Sequence, residues 1–318
     1  KAIKIMGPQG GTELQLKELV KRVPREYWKR FKIVTSVPEK KPLHRGKINV
    51  LWQKNSYDQP NIYPWFRNKD NHTKYDWYVF NSHWNYEKYR MLFDIPTERC
   101  TVIKNAIPTI PWKEKKFYKH GDKLKLLYCS TPWRGLNILL ATMNLLKDED
   151  IELHLYSSTK IYGDDFDEKN KSLYAALFNQ ADALKNVHNH GYLDNQSLIS
   201  KMEDTHVFVH PSIWEETSCI SAIEAMAAGN AALVTNFGAL YETCADFGYY
   251  INYDKNTTTL SHNFAAGIKH LQENLPTGFF IKRLQAQINY YRHYYSWRIR
   301  AREWIAFFKT ALNKKGIE

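Results

Sequence analysis

Val207-Phe208-Val209-His210-Pro211-Ser212-Ile213-Trp214-Glu215-Glu216-Thr217-Ser218-Cys219-Ile220-Ser221-Ala222-Ile223-Glu224-Ala225-Met226-Ala227-Ala228-Gly229 decides how the rest of the chain is read. The β-branched and aromatic run from His206 to His210 predicts a buried strand. A polar loop with two acids follows. An apolar, Ala-rich helix then opens near Ser218 and stops at Gly229, a residue suited to a left-handed helix end. A strand that feeds a helix N-terminus through a loop offers backbone N–H groups and a positive dipole end, which suits a phosphate. Glu216 sits in the loop and Glu224 about two turns into the helix, so they would reach different parts of one ligand. A carboxylate accepts two hydrogen bonds at once and is a natural partner for a pair of sugar hydroxyls. Acids near a helix start are also favoured by the dipole with no ligand at all. The two acids alone therefore leave a purely structural role open.

Working outward, a strand from Ala231 to Thr235 and a turn at Gly238 follow the helix. Upstream, strands are expected at 124–129, 151–156 and 187–191, and downstream at 248–252, with helices between. This alternation implies a parallel sheet covered on both faces. The first third has the same rhythm: strands at 2–6, 31–36, 48–52, 76–81 and 100–104, and helices from Thr12 to about Val23 and from Ser82 to about Phe93. Between Gln53 and Tyr75 lies a polar, aromatic stretch expected to be irregular loop. Residues 108–122 read as a linker. Helices are expected at 257–275, 278–292 and Trp297–Leu312, the last with an apolar stripe of Trp297, Ala301, Trp304, Ile305, Phe308 and Leu312.

The whole string of Pro-Ser, Glu216, seven residues, Glu224 and Ala-Met-Ala-Ala-Gly resembles the donor-nucleotide motif of family-4 retaining glycosyltransferases (glycosyl transferases group 1). Those enzymes have the GT-B fold, an α/β architecture of two Rossmann-like domains facing across a cleft. Gly10-Gly11-Thr12 resembles the Gly-rich loop that opens their first domain and faces the donor diphosphate. Ser82-x-Trp84 and Val102-Ile103-Lys104-Asn105-Ala106-Ile107 resemble the end of that domain. Tyr295-Ser296-Trp297 followed by Trp304 resembles the last helix, which packs back on it. The resemblance implies an N-terminal acceptor-side domain at 1–112, a nucleotide-sugar-binding domain at 113–295, and a C-terminal helix, 296–314, returning to the first.

It also implies roles. Arg134, in Thr131-Pro132-Trp133-Arg134-Gly135-Leu136, matches the family's cation on the donor diphosphate; an earlier second cation is replaced by Ser130 and Thr131. Glu216 would contact the donor sugar and, with Arg134, make up the catalytic pair. Glu224 would bind ribose. Thr217, Ser218, Cys219 and Ile220 would hold phosphate and sugar through backbone N–H groups. Tyr192 is the base-side candidate, with plain packing as its alternative. Relatives carry a His after the third strand of the first domain. Here Leu51-Trp52-Gln53-Lys54-Asn55 has none, which leaves Gln53 and Lys54 as acceptor-side candidates.

The reaction implied is transfer of a sugar from a UDP- or GDP-sugar to a hydroxyl of a glycan, glycolipid or glycoprotein, with retention at the anomeric carbon and with no cofactor or metal. Asp148-Glu149-Asp150 and Asp165-Phe166-Asp167 fit a chelating pattern, but they are read as solvated turns in connecting segments. Of the net charge of +12, +11 lies in residues 1–112, which suits an anionic membrane surface. Cys100, Cys129, Cys219 and Cys244 show no paired spacing and read as reduced thiols, so a cytoplasmic protein with peripheral contact at the inner membrane face is expected. Two other classes fit parts of the sequence: a non-catalytic GT-B scaffold, and a basic nucleic-acid-binding protein whose 10 Trp and 21 Tyr would stack bases. The latter has no recognition motif, and no nucleic-acid partner is expected.

Overall fold

The computed structural model describes residues 10–39, 43–108, 110–160 and 163–316. The expected strand at 2–6 lies outside them. The chain divides into two compact units, one built mainly from 110–215 and 219–293, the other from 11–109, 216–218 and 294–318.

The second unit holds a four-stranded parallel sheet, β1 (Phe31–Thr35), β2 (Ile48–Gln53), β3 (Trp77–Phe80) and β4 (Cys100–Val102), in sequential order. All six residues of β2 are buried, as a strand covered on both faces requires. Its alternate side chains divide between two cores. Val50, Trp52 and Val79 pack with Trp304 and Phe308, while Leu51, Tyr78 and Phe80 pack with Phe66, Tyr89 and Phe93. The first core lies under α1 (Gly11–Arg22) and α12 (Trp297–Lys314). Trp52 meets Trp304 edge-on at 4.8 Å, and Phe31 meets Phe308 at 4.4 Å. The buried stripe of α12 is Trp297, Arg300, Trp304, Phe307, Phe308 and Ala311. It is rotated from the expected one because Arg300 turns inward, its guanidinium donating to the Tyr294 carbonyl at 2.6 Å and lying 4.7 Å from that ring.

Two expectations for this unit are corrected. A short helix, α2 (Arg25–Arg30), follows α1 directly; it has no buried face, so it leaves no periodic signature. The 53–75 stretch contains α3 (Tyr63–Arg67) and a 3-10 turn at Lys69–Thr73. It is not wholly irregular. Phe66, Tyr75, Tyr78 and Tyr89 form a mutually tilted aromatic cluster, all four side chains essentially inaccessible.

The first unit holds a six-stranded parallel sheet ordered β10-β9-β8-β5-β6-β7, from β5 (Leu124–Tyr128), β6 (Ile151–Leu155), β7 (Val187–Asn189), β8 (Val207–His210), β9 (Ala231–Asn236) and β10 (Tyr249–Asn252). One face packs Leu126, Tyr128, Leu153, Val209 and Leu233 against α5 (Leu136–Leu145), α6 (Asp164–Ala183) and α10 (Thr257–Asn274). Asp165-Phe166-Asp167 is thus the first turn of α6, not a connecting turn, where its charges suit the helix dipole. The expected linker is anchored: Tyr118 is buried, and the Lys115 ammonium donates to the backbone carbonyls of Glu203 and Thr205. Burial pushes the Lys115 pKa down to about 7.

Among the described residues no helix is long and apolar enough to cross a membrane. Cys129, Cys219 and Cys244 are buried thiols, and Cys100 is half-buried.

Candidate functional site

The six-stranded sheet turns back on itself at its centre. From β5 the chain winds outward through β6 and β7, then returns to β8 on the other side of β5. Loops leaving the carboxyl ends of such neighbouring strands diverge, and in open α/β sheets ligands bind there. The loops after β5 and β8 carry Arg134 and Glu216.

These two loops are pressed together at Gly135. Its φ is +95°, and a Cβ on it would lie 2.0 Å from the Pro211 carbonyl oxygen. Only glycine allows that backbone conformation and that approach. The β8 loop is stitched internally: the Ser212 hydroxyl donates to the Trp214 carbonyl at 2.9 Å, and the Thr235 hydroxyl to the Ser212 carbonyl at 2.7 Å. Trp214 lies 5.9 Å from the half-buried Arg134 guanidinium, a cation–π pair that holds the cation at the loop tip. In the same β5 loop the buried Thr131 hydroxyl has no hydrogen-bond partner among the described residues.

Helix α8 (Ile220–Ala227) follows. It begins two residues later than expected, after an extended Cys219 that makes no side-chain cap. It ends as read: Gly229 has φ +90°, Gly229 N–H bonds the Met226 carbonyl and Asn230 N–H the Ala225 carbonyl, a left-handed closure.

Glu224 lies on the buried side of α8, 3% exposed. Burial pushes its pKa up to about 7, with one hydrogen-bond donor opposing that rise. The donor is Asn195, at the start of α7 (Asn195–Met202), whose amide nitrogen lies 3.0 and 3.2 Å from the two carboxylate oxygens. Sequence reading missed Asn195. The Asp194-x-x-Ser197 cap of α7 is visible in the sequence, but nothing there shows that the next residue points at Glu224. Tyr192, three residues past β7, is 48% exposed.

Glu216 is buried, and residues 216–218 belong to the four-stranded unit. There the Thr217 hydroxyl donates to the Lys54 carbonyl at 2.8 Å and accepts from the Asn81 amide at 3.0 Å, and Asn105 donates to the Ser218 hydroxyl at 3.1 Å. The side chains of Thr217 and Ser218 are thus engaged beyond the ends of β2, β3 and β4. The Lys54 ammonium donates to Asn105 Oδ1 at 2.6 Å and lies 4.0 Å from the Trp52 ring centroid. Burial lowers its pKa to about 7, with the Glu13 carboxylate opposing. Gln53 is inaccessible; its Oε1 accepts the Asn55 N–H at 2.8 Å, while its Nε2 finds no partner among the described residues. Gly10 precedes α1, and Gly11 is its first residue.

The architecture is shared with solved structures. A glycosyltransferase from Rickettsia africae ESF-5 superposes with a TM-score of 0.66 at 15% identity, over 96% of this chain and 83% of that one. The Anabaena protein Alr3699/HepE, solved with UDP and glucose, gives 0.61 at 13% identity over 83% of this chain and 72% of that one. The pneumococcal O-GlcNAc transferase GtfA, solved with UDP and GlcNAc, gives 0.58 at 14% identity; 84% of this chain aligns with 53% of that longer one. The two parallel-sheet, Rossmann-like units are those of the GT-B fold. No curated protein matches the chain. The model of the glycosyl transferases group 1 family matches residues 112–282, more than half of the sequence, and the chain belongs to that family.

Proposed function

We propose that this chain is a retaining, metal-independent hexosyltransferase that moves a sugar from a UDP- or GDP-sugar to an acceptor hydroxyl. The observation that carries the reading is Glu224: a carboxylate buried in the first turns of α8 and held through both oxygens by one neutral amide. A buried acid with no cationic partner in hydrogen-bonding contact is costly for folding alone, and a ribose diol is a ligand that would use both oxygens. In this reading the β5 loop and the start of α8 take the diphosphate. As the bond from the anomeric carbon to the diphosphate breaks, Arg134 and the backbone N–H groups of Thr217 to Ile220 stabilise the charge that develops on the leaving oxygen. Glu216 holds the donor sugar, Tyr192 borders the base, and Gly10 and Gly11 face the diphosphate. Lys54 and Gln53 supply polar groups on the acceptor side. The acceptor is a glycan, glycolipid or glycoprotein, and the basic residues of the 1–112 region support peripheral contact with an anionic membrane.

Calorimetry with UDP and GDP tests the donor half. Wild-type protein is expected to bind one of them, and Glu224→Ala to weaken that binding at least 100-fold. Absence of binding to the wild type sinks the proposal. A non-catalytic, nucleotide-binding scaffold is the second reading. It is favoured by Lys54, which stands where relatives have a His and is sealed between Asn105 and Trp52. Release of free sugar or glycoside from a bound nucleotide sugar would exclude it.

A further inference from the structure

The outer face of β6 and β7 carries side chains that the proposed transferase chemistry does not use. Leu153, Leu155 and Val187 point into the core. The alternate positions on the opposite face are Glu152, His154, His188 and His190, because side chains two apart on a strand share a face. His154 lies directly across from His188 in the parallel register. The three rings are close, with centroids 5.2 Å apart for His154 and His188, 5.3 Å for His154 and His190, and 6.5 Å for His188 and His190. His188 and His190 are exposed and His154 half-buried.

Hydrogen bonds fix the tautomers. An ionised carboxylate only accepts. Glu152 lies 3.1 Å from His154 Nε2 and 3.4 Å from His188 Nε2, so both imidazoles present N–H to it and keep their lone pairs on Nδ1. Burial raises the Glu152 pKa, but the bonds from His154 and His188 outweigh this and leave it below the ordinary carboxylate range. His154 Nδ1 then faces His190 Nε2 at 3.1 Å. A carboxylate behind one imidazole, with that ring's other nitrogen aimed at a second imidazole, is the arrangement that orients and strengthens histidine as a metal ligand. Two imidazoles on one tetrahedral zinc, at Zn–N distances of about 2.0–2.1 Å, hold their nitrogens about 3.3 Å apart. A small rotation of the exposed His190 converts the shared proton's place into an ion's.

We propose that this face binds a divalent transition-metal ion of the zinc or nickel class through His154 Nδ1 and His190 Nε2, with Glu152 as the orienting carboxylate. Water completes the coordination. The ligand set selects against magnesium and calcium, which prefer oxygen. The proposal uses none of the residues assigned to the donor and does not depend on the transferase reading.

Titrating the full chain at pH 7.5 with zinc and nickel chlorides, with magnesium chloride as control, tests it. One saturable site per chain is expected for zinc and nickel and none for magnesium. His190→Ala and His154→Ala should each weaken the affinity at least tenfold, and Glu152→Gln about tenfold through the lost orientation. His190 is exposed, so its variant probes the site without disturbing the core. Cobalt(II) gives a second readout: a tetrahedral visible absorption band that His190→Ala abolishes. Absence of saturable zinc binding, or binding that persists unchanged when His154 and His190 are both alanine, overturns the proposal.

Discussion

Each unit buries a charged side chain of the candidate site, and the two are opposites: Glu224 in the six-stranded unit and Lys54 in the four-stranded unit. Both are over 90% inaccessible, both are pushed by burial to a pKa of about 7, and both lean on an asparagine. The way they lean differs. Glu224 is held through both oxygens by the Asn195 amide nitrogen, so its whole acceptor edge is oriented. Lys54 spends one of its three donors on Asn105 Oδ1 and faces the Trp52 ring. The carboxylate is set up for a two-point ligand, the ammonium for a single charge held against an aromatic wall. Among the described residues neither is in a close ion pair, although the Glu13 carboxylate favours the charged form of Lys54, and burying either charge is costly for the fold.

Breaking the cation is expected to give the largest effect. Lys54→Met keeps the stem against Trp52 and removes the charge. If Lys54 serves the acceptor side, turnover of a nucleotide sugar should fall about 100-fold or more, the scale for losing a preorganised charge at a reacting centre. Nucleotide affinity, read by calorimetry on the same preparation, should stay within about twofold. Unchanged turnover would reduce Lys54 to a packing residue.

Asn195→Ala sharpens the anion side. Without the amide, the Glu224 carboxylate loses the one interaction that opposes burial, and its pKa climbs further. A hydrogen bond to a charged group contributes about 1.5–3 kcal/mol, so nucleotide affinity at pH 7 should fall about tenfold. Because the loss reflects protonation of Glu224, affinity should recover as pH is raised to 9. A loss of equal size at every pH would mean that the amide touches the nucleotide directly. Asn195→Gln, with its longer reach, tests whether position or chemistry matters.

The Asn195 contact also marks where the sequence stops being readable. Gly229 ends α8 as its position after an Ala-rich run requires, and Glu224 is visible as an acid inside an apolar helix. Both signals are local. Asn195 lies 29 residues from Glu224, and only the folding of α7 against α8 joins them. The same holds for Lys54. It reads as one more cation in a basic region, and its burial depends on the nearby Trp52 ring and on Asn105, 51 residues further along the chain, meeting it. The aromatic stretch from Gln53 to Tyr75 misleads for a related reason: its Pro and Asn content signals loop, while Phe66 and Tyr75 are core because β2 and β3 leave that face to be covered. Strand order follows from hydrophobic alternation, but which polar atom faces which carboxylate is settled by tertiary packing.

The smallest expected effect is on stability, and it has a shape that the two buried charges predict together. Glu224 has a folded pKa above its unfolded value of 4.5. The folded state therefore holds the extra proton, and the stability this contributes is present below about pH 4.5 and lost as pH rises to about 7. Lys54 has a folded pKa below its unfolded value of 10.5. Between about pH 7 and 10.5 the unfolded state binds more protons, so stability is regained as pH rises. Thermal unfolding of the ligand-free protein should thus show a shallow minimum near neutral pH from these two groups. Glu224→Gln removes the charge but keeps the shape, so it should flatten the acid arm and raise the midpoint at pH 7 and above by on the order of a few degrees, since 1 kcal/mol moves a unit of this size by about 2–4 °C. Lys54→Met should flatten the alkaline arm and raise the midpoint below pH 7. A Glu224→Gln protein that loses nucleotide binding while melting higher than wild type would show that the carboxylate is kept at a cost to the fold, for the ligand. One that melts lower would show that Glu224 is there to hold α7 against α8.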